Sequence, residues 1–298
     1  RLRAVMGSLG ALDLRRFQEI PIFDRAAAQA AGSDLFAKAL PFGNDRWVED
    51  QTAGIAGAPL RHRRSNLADL ATRCQSQRDQ DWYGMDFNRR LADIRASWDG
   101  SASVSERLRI GSWNMRGDGD LVVLDSRTNP EHQFVWLQDV KPRYLVTYPS
   151  LLNALTDYML SASRAISLDL VLTIGEPLMA DVRSKAQRTF GAPVFDRYGA
   201  QEVGHLAAEC PNCGQYHVSA ESVLLEVLRD DGLVAAPGQV GKVVVTSLYN
   251  YAMPLIRYQL DDSVEAGIPG ICMRTLPALR RIFGHRRPIP TSPGPETI

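Results

Sequence analysis

The 298-residue sequence has no long apolar segment, no excess of charge of either sign and few cysteines. No run approaches the ~20 apolar residues of a membrane-spanning helix, and charge interrupts the N-terminal residues too early for a secretory signal. Lys and Arg together number 34, as do Asp and Glu, so no net charge draws the chain to nucleic acid or to an anionic membrane. These absences predict a cytoplasmic protein without a nucleic-acid or membrane partner.

Hydrophobic residues make up 45% of the sequence, enough for the core of one large domain or two modest ones. In the middle of the chain, "PRYLVTYPS", "SLDLVLTI" and "APVFDR" indicate strands. Between them, "LLNALTDYMLSA" and "MADVRSKAQRTFG" indicate helices, the first capped by Ser150 and the second closed by Gly191. This alternation predicts an α/β fold with a parallel, helix-covered sheet, whose ligands bind beyond the carboxyl ends of the strands.

The chain divides by pattern into three parts. Residues 1–218 are predicted to form an α/β core, with a mainly helical portion over residues 1–110. Residues 219–284 contain two strand-like runs around Asp-Asp-Gly and Pro-Gly turns, which indicates a smaller antiparallel β subdomain. Residues 285–298 are rich in proline and are predicted to be a tail or a hinge remnant.

Four sequence motifs occur in a recognisable order. They are the glycine-containing "TAGIAGAP" at 52–59, the pair "TYPS" and "TIGEPL" at 147–150 and 173–178, "YGAQE" at 198–202, and "AMPLIRYQLDD" at 252–262. This ordered set resembles the phenylacetate-CoA ligase branch of the adenylate-forming superfamily, which includes acyl-CoA synthetases, adenylation domains of nonribosomal peptide synthetases and luciferases. The resemblance covers roughly residues 40–285 and implies the large N-terminal domain of that superfamily.

The resemblance also implies roles for individual residues. Glu202 would be the catalytic carboxylate that binds Mg²⁺ bridging an ATP phosphate and the substrate carboxylate. Tyr198 would stack on adenine, and Asp262 would accept hydrogen bonds from the ribose hydroxyls. The other nucleotide-binding candidates are Thr52, Gly54 and Gly57 in the phosphate loop, Gly175, Glu176 and Pro177 beside the adenine, and Gly199 and Ala200 after Tyr198.

The sequence departs from the family pattern in three places. In the phosphate loop only Thr52 keeps a hydroxyl, because the family's other hydroxyl positions and its lysine are replaced by Ala53, Ile55, Ala56 and Ala58. The "RHRR" run that follows either supplies charge to the phosphates or is a solvated turn. The segment before Asp262 reads Gln-Leu-Asp instead of Arg-Thr-Gly. We interpret the ending at residue 298 as the absence of the family's C-terminal lid, which carries a catalytic lysine.

Two functions therefore compete. The first is an adenylate-forming acid ligase that converts a carboxylate and ATP to an acyl-AMP and then transfers the acyl group to a thiol, such as that of CoA or a carrier protein, or to an amine. At the family level the acid is expected to be aryl or otherwise bulky. The alternative is a catalytically decayed, zinc-stabilised homologue that binds nucleotide, an acyl-adenylate or a protein partner without activating acids.

The sequence "CPNCG" places two of the four cysteines, Cys210 and Cys213, in a tight turn. This spacing suits tetrahedral Zn²⁺, and Cys272, which the resemblance brings near, would be a third ligand. The fourth is either His217 or His205. A closed Cys₃His set would be a structural zinc site; a redox pair and unmetallated cysteines are the alternatives, and Cys74 is predicted to be a lone thiol. We interpret the turn at 198–202 and the zinc knuckle as two sites in one neighbourhood.

Overall fold

The computed structural model of the chain describes residues 17–41, 46–52, 58–96 and 108–285, and the predicted α/β class is confirmed. The described part opens with helix α1 (Arg25–Ala31) and a 3-10 helix (Gly32–Leu35). A two-stranded hairpin follows, formed by β1 (Trp47–Gln51) and β2 (Arg61–Ser65), and leads into helix α2 (Asn66–Trp82). None of the helices in these ranges has both the length and the apolar character to cross a bilayer.

The region up to residue 110 differs from the mainly helical expectation, because it contains strands β1, β2 and β3 (Leu91–Arg95) as well as helices. Strand β2 was missed because all five of its residues are polar, and arginines Arg61 and Arg63 pair across the hairpin with Glu49. Strand β3 was missed because a short, continuously buried run has no alternating pattern that separates it from a helix segment.

The parallel part of the fold alternates strands and helices as predicted. It comprises β4 (Leu108–Ser112), β5 (Asp120–Asp125), α3 (Pro130–Val140), β6 (Tyr144–Thr147), α4 (Pro149–Ser161), β7 (Leu170–Ile174), α5 (Ala180–Phe190) and β8 (Val194–Ala200). Strands β8, β7, β6, β3 and β5 are parallel neighbours in that order, and β4 lies antiparallel at the edge. The carboxyl ends of the parallel strands therefore meet at one edge, where ligands are expected.

The same sheet continues into antiparallel strands beyond β8. These are β9 (Gly204–Glu209), β10 (Tyr216–Val218), β11 (Val223–Leu228), β12 (Val240–Ser247), β13 (Tyr258–Ala266) and β14 (Ala278–His285). The full order of the 12-stranded sheet is β11-β12-β13-β14-β10-β9-β8-β7-β6-β3-β5-β4. The predicted antiparallel pairing of the two runs after residue 219 is confirmed by the ladder between β11 and β12.

The hydrophobic core lies in three clusters. Helices α3, α4 and α5 pack together on one face of the parallel strands, and the buried side chains there include Phe134, Leu137, Leu152, Met159 and Phe190. A smaller cluster covers the opposite face, where the rings of Tyr83 and Phe195 stack at 4.5 Å. The third cluster fills the antiparallel part. Each fully buried large side chain contributes roughly 1.5–3 kcal/mol to the stability of the fold, so these clusters hold the strands and their carboxyl ends in place.

The start of helix α4 corrects one prediction. Ser150 does not cap the helix; it lies within the first turn, because Pro149 is the first helical residue and Tyr148 occupies the N-cap position without a side-chain hydrogen bond. Instead, the carboxylate of Glu176, 26 residues later in the sequence, caps the helix. It accepts hydrogen bonds from the Ser150 N–H at 2.8 Å and the Ser150 hydroxyl at 2.9 Å. Closure of α5 by Gly191, with φ of 64°, is confirmed.

Candidate functional site

The turn after strand β8 carries the first group of predicted site residues. A Cβ atom on Gly199 would lie 2.8 Å from the carbonyl oxygen of Gly204, so only glycine fits where β8 doubles back to β9. The register between the two strands shifts at this point. Ala200 ends β8, and Glu202 lies in the short turn that follows.

Tyr198 and Asp262 meet although their strands are far apart in the sheet. Strands β8 and β13 are separated by β9, β10 and β14, which on a flat sheet corresponds to about 19 Å at ~4.8 Å per strand. Nevertheless, the Tyr198 hydroxyl donates a hydrogen bond to Oδ2 of Asp262 at 2.8 Å. The antiparallel part must therefore curl back over the end of β8, and this curl creates the site.

Glu202 is buried, with 5% of its surface exposed, and lies among polar partners. The hydroxyl of Tyr258, on β13, donates to its Oε1 at 3.0 Å, and the guanidinium Nη1 of Arg25 lies 3.7 Å from the same oxygen. Burial and the nearby carboxylate raise the pKa of Tyr258, so its proton stays in place as a donor. His62 also feels the Glu202 charge, but burial lowers the pKa of its imidazole.

The described ends of the predicted phosphate loop lie next to this group. Nη2 of Arg25 donates to the Thr52 hydroxyl and, at 3.3 Å, to the Ala58 carbonyl oxygen. Thr52 Oγ1 also accepts the Leu60 N–H at 3.0 Å. Thr52 thus lies on the Glu202 side of the molecule, bridged to it by Arg25. Gly54 and Gly57, the two predicted phosphate-loop glycines, lie outside the described residues.

The Gly175-Glu176-Pro177 turn follows β7 and lies beside the same edge. Gly175 has φ of 83°, and Glu176 is held by Ser150 as described above. A Cβ on Gly284 would lie 2.7 Å from Cγ of Pro177. Gly284 pairs with Ser263, the neighbour of Asp262 on β13. The turn and Asp262 therefore lie close together, in line with a shared ligand.

Tyr198, which is predicted to stack on adenine, is buried in this conformation. The residue is only 7% exposed and belongs to the core cluster of the antiparallel part. Burial and the adjacent Asp262 carboxylate raise the pKa of its hydroxyl well above the ordinary value. In this conformation Tyr198 donates a hydrogen bond to the Asp262 carboxylate.

Two residues at this site, Arg25 and Tyr258, were missed in the sequence. Tyr258 had a signal, because it lies four residues before Asp262 and alternate residues of a strand point to the same face. Arg25 had none, since it lies 177 positions before Glu202 in a short helix with no motif of its own.

A second cluster contains four of the predicted metal ligands. Ligand atoms of Cys210, Cys213, His217 and Cys272 all lie within 4.8 Å of one another. Nε2 of His217 is 3.1 Å from Sγ of Cys272 and 3.8 Å from Sγ of Cys213. Three thiols and one imidazole at such separations suit a four-coordinate ion of the zinc type. His205, the alternative fourth ligand, instead contacts Asp79, with its Nε2 2.6 Å from Oδ2.

The surroundings of this cluster are cationic and aromatic. The Arg274 guanidinium donates to Sγ of Cys210 at 3.2 Å and lies 4.4 Å above the ring of Trp82. Arg78 also stacks on Trp82, at 4.6 Å, and the edge of this ring faces His217 at 5.9 Å. A hydrogen bond from the Arg274 backbone lowers the pKa of the Cys272 thiol, whereas burial raises the pKa of Cys213 to about 11.

Strand β9 separates the two sites. The turn with Glu202 precedes its first residue and Cys210 follows its last. Six strand residues span about 20 Å. The two sites are thus neighbours along the chain but lie at opposite ends of one strand, so the cluster supports the far end of the β9–β10 hairpin.

Comparison with known proteins identifies the class. The AMP-binding enzyme family matches residues 113–251. Phenylacetate-coenzyme A ligase of Escherichia coli K12 is 28% identical over 179 residues, which are 56% of this chain and 40% of that protein. The enzyme of the same name from Aromatoleum evansii is 30% identical over 151 residues, 48% of this chain and 34% of that protein. The chain thus spans 40% or less of the length of these relatives.

Solved structures share the fold. An open conformation of 2-hydroxyisobutyryl-CoA ligase, in complex with 2-HIB-AMP and CoA, aligns with a TM-score of 0.74 at 18% identity, over 92% of this chain and 66% of that one. The luciferase-like enzyme from Zophobas morio aligns with a TM-score of 0.55 at 17% identity, over 80% and 57% respectively. The fold is that of adenylate-forming enzymes. The matches to phenylacetate-coenzyme A ligases confirm the resemblance carried by the motifs.

Proposed function

We propose that this chain is the nucleotide-binding and acid-activating part of an acid–CoA ligase. In the first step a substrate carboxylate oxygen attacks the α-phosphorus of ATP, forming the acyl-AMP anhydride and breaking the bond to the leaving pyrophosphate. In the second, the CoA thiol attacks the acyl carbon, gives up its proton and releases AMP. A carrier-protein thiol or an amine is an alternative acceptor. The kinship with phenylacetate-coenzyme A ligases supports an aryl acid.

The curl of the sheet supports this function, because it brings the candidate ribose-binding and metal-binding carboxylates to the same side of the molecule. Asp262 would accept hydrogen bonds from both ribose hydroxyls, held ready by Tyr198. Glu202 would hold Mg²⁺, which supplies charge neutralisation at the phosphate oxygens. The turn 175–177 would border the adenine, and Thr52 would face the phosphates. In this arrangement residues 1–218 supply the acid and phosphate contacts, and the β subdomain 219–284 supplies the ribose contact.

The single observation that carries the proposal is the contact between Tyr198 and Asp262, with Glu202 and Tyr258 beside it. Two motifs from distant strands meet at the edge where parallel sheets bind ligands. Holding the reactants together at such an edge supplies much of the rate of a two-substrate reaction. A core built only for stability would gain little from burying the Glu202 carboxylate there.

ATP–pyrophosphate exchange tests the proposal. The chain is incubated with ATP, Mg²⁺, labelled pyrophosphate and a panel of acids that includes phenylacetate, benzoates and short hydroxy acids, and label in ATP is counted. We expect acid-dependent exchange with at least one aryl acid. Glu202→Gln should reduce it by at least 100-fold, since the variant keeps the side-chain shape but loses the charge that binds the metal.

The control variant Glu221→Gln changes an exposed carboxylate paired with Arg78, away from the site, and should leave exchange unchanged. Nucleotide binding without exchange, in this chain and in a version extended beyond residue 298, would contradict the ligase function and favour the decayed homologue. Adding CoA, a carrier protein or an amine to an active mixture then identifies the acceptor.

We also propose that the cluster of Cys210, Cys213, His217 and Cys272 holds a structural Zn²⁺. A full set of four protein ligands leaves no position for water, so the ion would tie the β9–β10 connection to the segment before β14 and take no part in the reaction. The four cysteines are free, in keeping with the reducing cytoplasm, which we propose as the compartment.

Elemental analysis and thermal unfolding test the zinc site. We expect about one zinc per chain, and Cys210→Ser should lower both the zinc content and the melting temperature by several degrees. Cys74→Ser, at an exposed position on α2, is the matched control and should change neither. Protein that is free of metal and melts like the wild type after Cys210→Ser would contradict the site.

A further inference from the structure

Arg25, on helix α1, contacts two of the predicted site residues although its helix contains no recognisable motif. Its guanidinium contacts the first described end of the phosphate loop through Thr52 and the second through Ala58, and it lies 3.7 Å from Glu202. One side chain therefore touches both ends of the phosphate loop and the carboxylate expected to bind the metal. It comes from outside the motifs that identify the family.

The bonding of Arg25 is incomplete. Its Nε is buried and has no hydrogen-bond partner among the described residues. The Nη1–Glu202 separation of 3.7 Å is an ion-pair distance but too long for a hydrogen bond. A guanidinium offers five N–H donors in a planar fork that matches phosphate oxygens, so Arg25 keeps donor capacity beside the place where phosphates are expected.

The phosphate loop has the complementary deficit. Ala58 replaces the family's lysine, and alanine or isoleucine replaces most of its hydroxyls. Arg25 donates to the carbonyl oxygen of the same Ala58. A cation from α1 thus lies where the loop's own cation is missing.

We propose that Arg25 is the phosphate-binding cation of this site, donating to phosphate oxygens of the bound nucleotide. The inference rests on the proposed function and deepens it. Without nucleotide, Arg25 balances the buried charge of Glu202. With nucleotide bound, a Mg²⁺ ion held by Glu202 would supply that balance, and the Arg25 donors would be available to the phosphates.

Binding of nucleotides with different numbers of phosphates tests the proposal. Titration calorimetry with ATP and with adenosine, each with Mg²⁺, gives their affinities for the wild type, Arg25→Gln and the control Arg143→Gln, which removes an exposed ion pair with Asp169. We expect Arg25→Gln to weaken ATP about 10- to 100-fold, the value of a charged hydrogen bond, and adenosine less than twofold. Arg25→Lys should recover part of the ATP affinity, and Arg143→Gln should match the wild type.

Protection of the wild-type chain against an arginine reagent provides a readout that does not depend on a variant folding. Phenylglyoxal modification, mapped by mass spectrometry, should be slowed at Arg25 by ATP with Mg²⁺ but not by adenosine, and at Arg143 by neither. Equal weakening of ATP and adenosine by Arg25→Gln, ATP affinity within twofold of the wild type, or no protection of Arg25 would overturn the proposal. A wild type that binds no nucleotide would overturn the proposed function as well.

Discussion

Asp196 is a buried carboxyl group on β8, close to the proposed nucleotide site. Its titration should make the stability of the protein depend on pH. Asp196 lies two residues before Tyr198 on β8 and is 4% exposed. The hydroxyls of Thr173 and Tyr216 donate to its two oxygens, at 2.5 Å and 2.9 Å. Burial raises its pKa from the ordinary 3.8 to about 6, with a contribution from the nearby Glu209 charge, because the two hydrogen bonds do not offset the loss of water.

The direction of the effect follows from this raised pKa. The folded protein holds the Asp196 proton more tightly than the unfolded chain does, so the stabilising effect is complete below about pH 4 and is lost as the pH rises through about 6. A rise from 3.8 to about 6 corresponds to about 3 kcal/mol. Asp196→Asn removes the titration and keeps hydrogen bonds to both hydroxyls, because an amide both accepts and donates.

Urea unfolding of wild type and variant from pH 4.5 to 8 measures the effect. We expect the free energy of unfolding of Asp196→Asn, relative to the wild type, to rise by about 2 kcal/mol over this range. Asp169→Asn removes an exposed carboxylate paired with Arg143 and is the control for loss of a carboxyl group elsewhere on the surface. A difference for Asp196→Asn that stays constant within about 0.5 kcal/mol would refute the reasoning.

Two further substitutions test contacts at the carboxyl ends of the parallel strands, where the nucleotide is proposed to bind. Tyr198→Phe deletes the donor to Asp262 and should lower the free energy of unfolding by about 1–2 kcal/mol and weaken AMP several-fold in calorimetry; unchanged values would contradict a role for that hydroxyl. Gly284→Ala should cost about 1–3 kcal/mol in urea unfolding, since φ is 66° and the new Cβ would meet Pro177. Gly270→Ala, at φ of 76° in open space, should cost less; equal costs would show that the Pro177 contact is unimportant.

The parts of the fold that could be predicted are those with local causes. Strands β6 to β8 and helices α4 and α5 carry their own apolar periodicity, and Gly191 closes α5 through its left-handed conformation. Tyr198 and Glu202 are four residues apart, so a turn brings both to one edge. Cys210 and Cys213 meet for the same reason, since the Gly214 backbone, with φ of 70°, permits the tight knuckle.

The parts that could not be predicted depend on contacts between distant segments. The meeting of Asp262 with Tyr198 requires a curl of the sheet that no local pattern encodes, and only the family resemblance pointed to it. The local sequence predicts that Ser150 caps α4. In the structure Glu176, 26 residues later, accepts the hydrogen bond at this helix start, and no local pattern reveals that contact. Arg25 reaches the site through tertiary packing alone. Its helix contains mostly alanine, which has no distinctive pattern.

A crystal structure of the chain grown with AMP and Mg²⁺ would show whether one nucleotide binds across Asp262 and Glu202. We expect electron density with the ribose hydroxyls within hydrogen-bond distance of the Asp262 carboxylate and the phosphate on the side of Glu202 and Thr52. Density for AMP elsewhere on the molecule, with the Tyr198–Asp262 contact unchanged and this edge empty, would contradict it.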